Sequence, residues 1–341
     1  MEFARAFTAA IDALVLPLFH PLDQRSVFSY VAAAAFVFLA IIPTRLRRRR
    51  KDIGLRAFWR LLSKRTVWLH RSSLLDYKLY LFNIPLLAFV IGFFIIGADF
   101  WAGVFGSWLT ALFGPAAETV AAHWGIILFL AVLQVLAFDL GYWLAHLAMH
   151  KSEILWQFHK LHHSAEVMTP ATEFRQHPVE LALFPCVTGF TNGLVYALVT
   201  HWLGSGAPSM GIFGYNLIIC AHIFTFHHLR HSHINMPFTG VMGVLLHSPA
   251  HHHIHHSDNP AHFDRNMGYL LSIWDWMAGT LHMPRRGEKI TLGIGHEGAE
   301  HNTVGNALWV PFRDAGRLIA TRLRPAGKPM ADEPAIEPKS S

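Results

Sequence analysis

Histidine is the residue type that sets this chain apart. The sequence holds 25 histidines among 341 residues, and 18 of them fall between His146 and His256. Neutral imidazole is a good ligand for iron, zinc, copper and nickel. The cluster therefore predicts a metal centre wherever the spacing brings several rings to one point.

Four motifs meet that condition. Residues three or four apart on an α-helix share a face, with Cβ atoms about 5–6 Å apart. Two motifs are pairs and two are triplets at this spacing: His146 and His150; His159, His162 and His163; His227 and His231; His252, His255 and His256. Ten imidazoles are too many for one ion, so we predict two metal ions with about five ligands each.

Neighbouring histidines leave the choice of ligands open. His251 stands four residues before His255 and His253 three before His256, so spacing alone does not select His252. Further candidate ligands, or partners of ligands, are His177, His222, His228, His233 and His247. No residue beyond the metal ligands is predicted to be catalytic.

Carboxylates are expected beside the ligands, because a ligating histidine usually donates its other ring N–H to a carboxylate or carbonyl. Asp139 lies two helical turns before His146, and a buried acid within an apolar span is costly and usually functional. The other candidates are Glu173, Glu180, Asp258, Asp264 and Asp275. Each of these has an alternative role as a helix cap or salt-bridge partner.

The composition indicates the elements that must position these residues. Only 15% of residues are charged and 52% are hydrophobic, whereas a soluble domain carries about 25% charged residues. We therefore predict an all-α membrane protein with four or five transmembrane helices and a cytoplasmic helical cap that carries the histidines. The two cysteines lie in apolar runs, which argues against a disulfide framework or a thiolate metal cluster.

Apolar stretches of about 17–25 residues are candidate membrane spans. Five are present: Val27–Pro43, Leu79–Ala98, Trp124–Ala145, Leu181–Thr200 and Met210–Leu229. The shorter stretch Trp101–Phe113 is predicted to be re-entrant or interfacial.

Lysine and arginine set the orientation, because they accumulate on the cytoplasmic side. The stretch from Arg45 to Arg71 holds 11 of the 28 basic residues, and none occurs at 79–150 or 181–229. Two hairpins therefore leave the cytoplasm and return, which places all four histidine motifs on the cytoplasmic side. The basic run directly follows an apolar span, so membrane orientation explains it better than nucleic-acid binding.

Three regions are predicted. Residues 1–120 form an N-terminal membrane and interfacial region with a basic cytoplasmic loop, in which the first twenty residues and Ile53–Leu69 are surface helices. Residues 121–285 carry the metal site. Residues 286–341 are a C-terminal cytoplasmic segment, disordered from about 324 where prolines recur.

The motifs resemble the fatty acid hydroxylase, or sterol desaturase, superfamily of membrane di-iron enzymes. The resemblance runs from about Trp124 to Pro284 and includes Arg175–Glu180 (RQHPVE), similar to R-x-H-P-x-E, and Trp274–Thr280 (WDWMAGT), similar to W-D-x-x-x-G-T. The register of that family favours His252 over His251. Met267 departs from a common tyrosine of the family, and His233 from a common asparagine.

The resemblance implies a di-iron, O2-dependent oxidoreductase that hydroxylates or desaturates a long-chain lipid or sterol-like substrate. No nucleotide-binding glycine fingerprint or haem motif is evident in the sequence, so electrons are expected from a separate protein, ferredoxin-like or cytochrome b5-like. The alternatives are a histidine-lined metal transporter, a metal-binding membrane protein without redox activity, and a zinc hydrolase. Transporter sites lie near the bilayer midplane, whereas these histidines are predicted at helix ends and in cytoplasmic segments. A zinc hydrolase needs only three protein ligands, fewer than the ten histidines of the four motifs.

Overall fold

The computed structural model describes residues 27–37, 39, 59–60, 62–94, 96–118, 123–204, 211–212, 215–285 and 288–323. These residues are helical apart from loops and one two-residue antiparallel hairpin, β1 with β2, which confirms the predicted helical class. The predicted surface helix in the first twenty residues and the predicted disorder from 324 lie outside the described residues.

The helices are numbered along the chain. They are α1 (Val27–Phe36), α2 (Arg65–Trp68), α3 (Arg71–Phe94), α4 (Ala98–Phe113), α5 (Trp124–Lys151), α6 (Glu153–His163), α7 (Pro178–Leu203), α8 (Leu217–His222), α9 (His228–Arg230), α10 (Gly240–Leu245), α11 (Pro249–His255), α12 (Ile273–Ala278), α13 (His296–Glu300) and α14 (Val304–Leu323). Strands β1 (Gly211–Ile212) and β2 (Tyr215–Asn216) precede α8. Single turns of 3-10 helix occupy Pro170–Phe174 and Pro260–His262, and a π turn occupies Ile223–His227.

Two helices in the described part of the chain, α5 and α7, are long and apolar enough to cross a membrane. Their 28 and 26 residues correspond to about 42 and 39 Å at 1.5 Å per residue, against a hydrocarbon core of about 30 Å. They contain the predicted spans Trp124–Ala145 and Leu181–Thr200.

The other three predicted spans do not each correspond to one described helix. The stretch Met210–Leu229 is not one continuous helix, because the chain is helical only from Leu217 to Arg230, about 21 Å. The stretch Leu79–Ala98 is divided between α3 and the start of α4. Helix α1 covers the first ten residues of the remaining stretch, from Val27, and most of the rest lies outside the described residues.

The stretch predicted to be re-entrant or interfacial lies in α4, whose 16 residues are about 24 Å long. Helix α4 packs closely along α7 where Gly189 and Gly193 stand one turn apart. A Cβ atom at Gly193 would lie 2.5 Å from Trp101 Cβ and 2.6 Å from the Ala98 carbonyl oxygen. Glycines at this spacing let membrane helices approach closely, and this contact uses that freedom.

One residue, Ser152, separates α5 from α6 and reverses the chain. Its backbone is extended (φ −90°, ψ 117°), and its Oγ accepts a hydrogen bond from the Leu155 N–H at 3.3 Å, which caps α6. The backbone N–H of Ser152 still donates to the Ala148 carbonyl at 3.0 Å. The turn therefore brings the histidines at the end of α5 beside those of α6.

Helices α3 and α14 pack against α6. Leu75 and Leu79 of α3, Leu161 of α6 and Ala307 of α14 form one buried apolar cluster. At its edge, Lys160 Nζ lies 2.8 Å from Asp314 Oδ2. Parts of the chain on both sides of residues 121–285 thus support the region predicted to carry the metals.

We predict that Gly193→Ala destabilises the protein by about 1–3 kcal/mol, because the added methyl overpacks the contact with α4. Gly106→Ala on α4 is the matched control, since nothing lies within 4 Å of its added Cβ. Thermal unfolding of the detergent-purified proteins measures the difference. Equal midpoints for the two variants would contradict the close packing of α4 on α7.

Candidate metal centre

Five histidines from α5, α6 and α11 converge in one buried cluster, the five-histidine group. Its members are His146, His150, His159, His163 and His255, and their ligand atoms all lie within 4.8 Å of one another. The Nε2 atom of His159 lies 3.1 Å from that of His146 and 3.2 Å from that of His163. Each side chain is at most 5% exposed.

A second buried cluster, the four-histidine group, adjoins the first. Its members are His162, His231, His252 and His256, again with ligand atoms within 4.8 Å of one another. Here His231 Nε2 lies 3.1 Å from His162 Nε2 and 2.8 Å from His252 Nε2. The two groups touch where the rings of His163 and His256 stack, with centroids 4.4 Å apart.

Each triplet is divided between the two groups. On α6, His159 and His163 enter the five-histidine group, whereas His162 enters the other. Positions i and i+4 are only about 40° apart around a helix, but i+3 and i+4 are about 100° apart. The expectation that each motif faces a single point is therefore wrong for the triplets, which instead bridge the two groups.

A loop at Asp264–Met267 holds three rings of the five-histidine group by their second nitrogen. The Nδ1 atom of His146 donates to the Met267 carbonyl at 2.7 Å, and that of His255 to the Arg265 carbonyl at 2.8 Å. His150 Nδ1 lies 3.3 Å from Asp264 Oδ1. A ring that donates through Nδ1 keeps the lone pair of Nε2 free for a metal ion.

Two glutamates hold further rings. Glu180, in the first turn of α7, lies 3.1 Å from His159 Nδ1 through Oε1. Glu173, in the 3-10 turn before α7, lies 2.6 Å from His231 Nδ1 through Oε2. Glu173, Glu180 and Asp264 are thus the predicted carboxylates that the structure places beside candidate ligands.

The other predicted carboxylates do not contact a candidate ligand. Asp139 and Asp275 instead accept hydrogen bonds from backbone N–H groups. Asp139 accepts from the Leu270 N–H at 2.7 Å and from the Trp274 indole N–H at 2.9 Å. Asp275 accepts from the N–H groups of Met267 and Gly268 at 3.0 and 2.9 Å. Both acids therefore fasten the chain at the end of the loop that holds the rings and just beyond it.

Two other predicted residues also lie apart. His177 caps the N-terminus of α7, where its Nδ1 accepts from the Val179 N–H, and its Nε2 donates to the Leu308 carbonyl at 3.1 Å. Asp258 is exposed on the surface.

The structure does not bring His227 into either group. Its Nδ1 lies 3.0 Å from the hydroxyl of Tyr269. The four-residue spacing to His231 misled the prediction because a π turn ends at His227 and the helix ends at Arg230. His231 thus lies beyond regular helix, where the rule that residues four apart share a face does not apply.

The structure separates the two alternatives for the last motif. His252 lies in the four-histidine group, whereas the ring of His251 serves the cap of α11, with Nδ1 2.6 Å from Ser248 Oγ. The other candidates are buried or partly buried outside both groups: His222, His228, His233, His247 and His253.

The donor set fits two transition-metal ions. Nitrogen ligands bound at about 2.1 Å lie about 3.0 Å apart at a right angle and about 3.4 Å apart at the tetrahedral angle, close to the Nε2 separations of 2.8–3.2 Å seen here. His255 Nε2 is buried and has no hydrogen-bond partner. Burial and the neighbouring rings hold the pKa of His162 and His163 well below the usual value, which keeps both rings neutral and able to bind metal.

Comparisons with known proteins cover the same region. A family model described as fatty acid hydroxylase matches residues 131–280. Alkylglycerol monooxygenase of Caenorhabditis elegans is 28% identical over 159 residues, which is 46% of this chain and 28% of that protein. Ornithine lipid hydroxylase OlsE of Rhizobium tropici is 30% identical over 171 residues, 49% of this chain and 46% of that protein.

The human alkylglycerol monooxygenase is 27% identical over 161 residues, 47% of this chain and 32% of that protein. The chain therefore spans less than half the length of each of these relatives. No solved structure matches the chain. Residues 131–280, which include all nine histidines of the two groups, match the fatty acid hydroxylase model, and the resemblance of this chain to the fatty acid hydroxylase superfamily is confirmed.

Proposed function

We propose that this protein is a membrane-bound, O2-dependent lipid hydroxylase in which each histidine group binds one iron ion. The observation that carries the proposal is the convergence of nine buried histidines in two adjacent groups at the end of a membrane-length helix. The proposal therefore uses nine ligands and leaves out His227. The names of the relatives, a monooxygenase and a lipid hydroxylase, support hydroxylation over desaturation.

The chemistry follows from the substrate class. An unactivated C–H bond of a lipid offers no group for acid–base attack, so bound iron would supply the oxidising chemistry with dioxygen. The chain contributes neutral ligands, fixes each ring by its second nitrogen and keeps water away by burial. The electrons come from a separate ferredoxin-like or cytochrome b5-like protein.

An aromatic layer lies between the five-histidine group and the apolar part of α5. The ring of Tyr142 lies 5.6 Å from that of His146, one turn further into the helix. Tyr142 also contacts Phe184 of α7 and Tyr269, at 4.8 and 4.9 Å between centroids. We place the reactive part of the lipid chain at this layer, where the bilayer side of the domain meets the metals.

Replacement of His163 by Ala should lower the metal content by about one atom per chain, because the five-histidine group loses a ligand. His296→Ala is the control, since His296 is exposed and belongs to neither group. Inductively coupled plasma mass spectrometry of purified protein measures the content. Equal metal in the two variants would contradict binding by the five-histidine group.

His252→Ala should make metal loss begin at higher pH, whereas His251→Ala should leave it nearly unchanged. Protons compete with metal for imidazole, and burial holds the pKa of His252 well below the usual value of about 6.5. Its neutral form is therefore present above its own lowered pKa, and wild-type metal should be lost only as the pH falls below about 6.5. Metal retention against pH tests the register, which is wrong if His251→Ala is the damaging change.

Expression of the wild-type protein should produce lipids that are heavier by one oxygen atom, and His163→Ala should abolish them, because only the assembled centre can oxidise a C–H bond. The measurement is lipidomics by mass spectrometry of a deletion strain complemented with each variant, grown with 18O2. Incorporation of 18O would identify the oxygen source. A metal-loaded wild-type protein that forms no such product would favour the alternative of a metal-binding protein without redox activity.

The catalytic face should point to the cytoplasm, as the distribution of lysine and arginine predicts. Cysteines introduced at the exposed positions Ser107 and Asn302, with Cys186 and Cys220 replaced, test this by labelling with an impermeant maleimide. Ser107→Cys should react in intact cells, and Asn302→Cys only after permeabilisation. The opposite pattern would reverse the orientation.

A further inference from the structure

A third cluster of ligand-type side chains lies outside both histidine groups, and the proposed function does not use it. His262 Nε2 lies 3.2 Å and His282 Nε2 3.1 Å from the same oxygen, Oε1 of Glu288. The three ligand atoms lie within 4.8 Å of one another. No helical spacing links these residues, so the sequence pattern did not reveal them.

The donor set of this cluster suits a metal ion. Two imidazoles and one carboxylate, with a position left for water, form a frequent zinc site. Ligands at about 2.0–2.2 Å from one ion lie about 3.0–3.4 Å apart, as the two nitrogen–oxygen distances here do. The side chain of His262 is 3% exposed, that of His282 is 18% exposed and that of Glu288 is 16% exposed. The cluster is therefore mostly shielded from solvent, but ions from solution can still reach it.

Neighbouring groups hold two of the three ligands in place. The second carboxylate oxygen of Glu288, Oε2, accepts from the Arg285 N–H at 3.0 Å. Asn266 clamps the backbone of His282, because its Oδ1 accepts from the His282 N–H at 2.7 Å and its Nδ2 donates to the His282 carbonyl at 2.9 Å. Such hydrogen bonds orient ligands before an ion binds.

We propose that His262, His282 and Glu288 bind a third metal ion, of the zinc type, which fastens the loop that holds the five-histidine group. His262 precedes Asp264 by two residues, and His282 is bonded to Asn266. An ion shared by the two histidines therefore restrains the loop at both ends. Asp264 and Asn266 have positive φ values of 56° and 58°, a conformation that Asp and Asn adopt more readily than other non-glycine residues.

The test compares metal content in full-length protein purified from zinc- and iron-supplemented cells. Wild type and the exposed-site control His296→Ala should each carry about one more zinc atom per chain than His282→Ala and Glu288→Gln. Inductively coupled plasma mass spectrometry gives the zinc and the iron separately. Glu288→Gln keeps the size of the side chain, so it decides the matter if His282→Ala does not fold.

The inference is independent of the proposed function. His163→Ala should keep this zinc atom while it loses metal from the five-histidine group, so failure of one site is visible without the other. Unchanged zinc in both His282→Ala and Glu288→Gln, relative to His296→Ala, would overturn the proposal. It would leave the cluster as an ion pair between Glu288 and the two imidazoles.

Discussion

The site depends on one constraint: a histidine that offers Nε2 to a metal must give the proton on Nδ1 to an acceptor, and a buried N–H without one is costly. Four of the nine rings meet this need with a hydrogen bond to a carbonyl or carboxylate within 3.3 Å, and Glu173 Oε2 lies 2.6 Å from Nδ1 of a fifth ring, that of His231. Three of these acceptors lie in the short loop Asp264–Met267. The orientation of the candidate ligands is therefore set as much by this loop as by the helices that carry them.

The need to hold this loop in place also explains two buried acids that contact no candidate ligand. Asp275 and Asp139 accept hydrogen bonds from the backbone N–H groups of residues 267, 268 and 270, at the end of the loop and just after it. The Trp143 indole N–H also donates to Asp275, at 3.2 Å, which ties the loop to α5. Several hydrogen-bond donors reduce the free-energy cost of burying a carboxylate inside an apolar helix. Here those donors are in the segment that supports the candidate site.

Helix α3 contributes to the site although it precedes the region matched by the family. Asp76 of α3 pairs with buried Arg175 at 3.0 Å, and its other oxygen accepts from the Thr172 hydroxyl at 2.6 Å. Asn83 donates to the carbonyls of Phe174 and Gln176, both at 2.9 Å. These contacts fix the turn that carries Glu173, and through it the ring of His231.

Local periodicity explains what the sequence could predict. The pair on α5 and the members of the two triplets follow from helical spacing, because a regular backbone repeats the same geometry. The π turn that ends at His227 and the end of the helix at Arg230 break that regularity. The sequence pattern shows no corresponding signal from which these two breaks could be predicted. The carboxylates act on residues far away in the sequence: the partners of Asp139, for example, lie about 130 residues further along the chain. For the same reason, only the packed structure could distinguish Glu173, which lies against the ring of His231, from Asp258, which is exposed.

The loop at Asp264–Met267 also dictates an order of events during synthesis. His146, His150, His159 and His163 leave the ribosome early, but His255 and the acceptors for three rings follow about a hundred residues later. Helix α7, at Pro178–Leu203, is synthesised in between. The five-histidine group thus cannot be complete in a nascent chain shorter than about 267 residues, and it is completed late in synthesis, after both membrane-length helices are made.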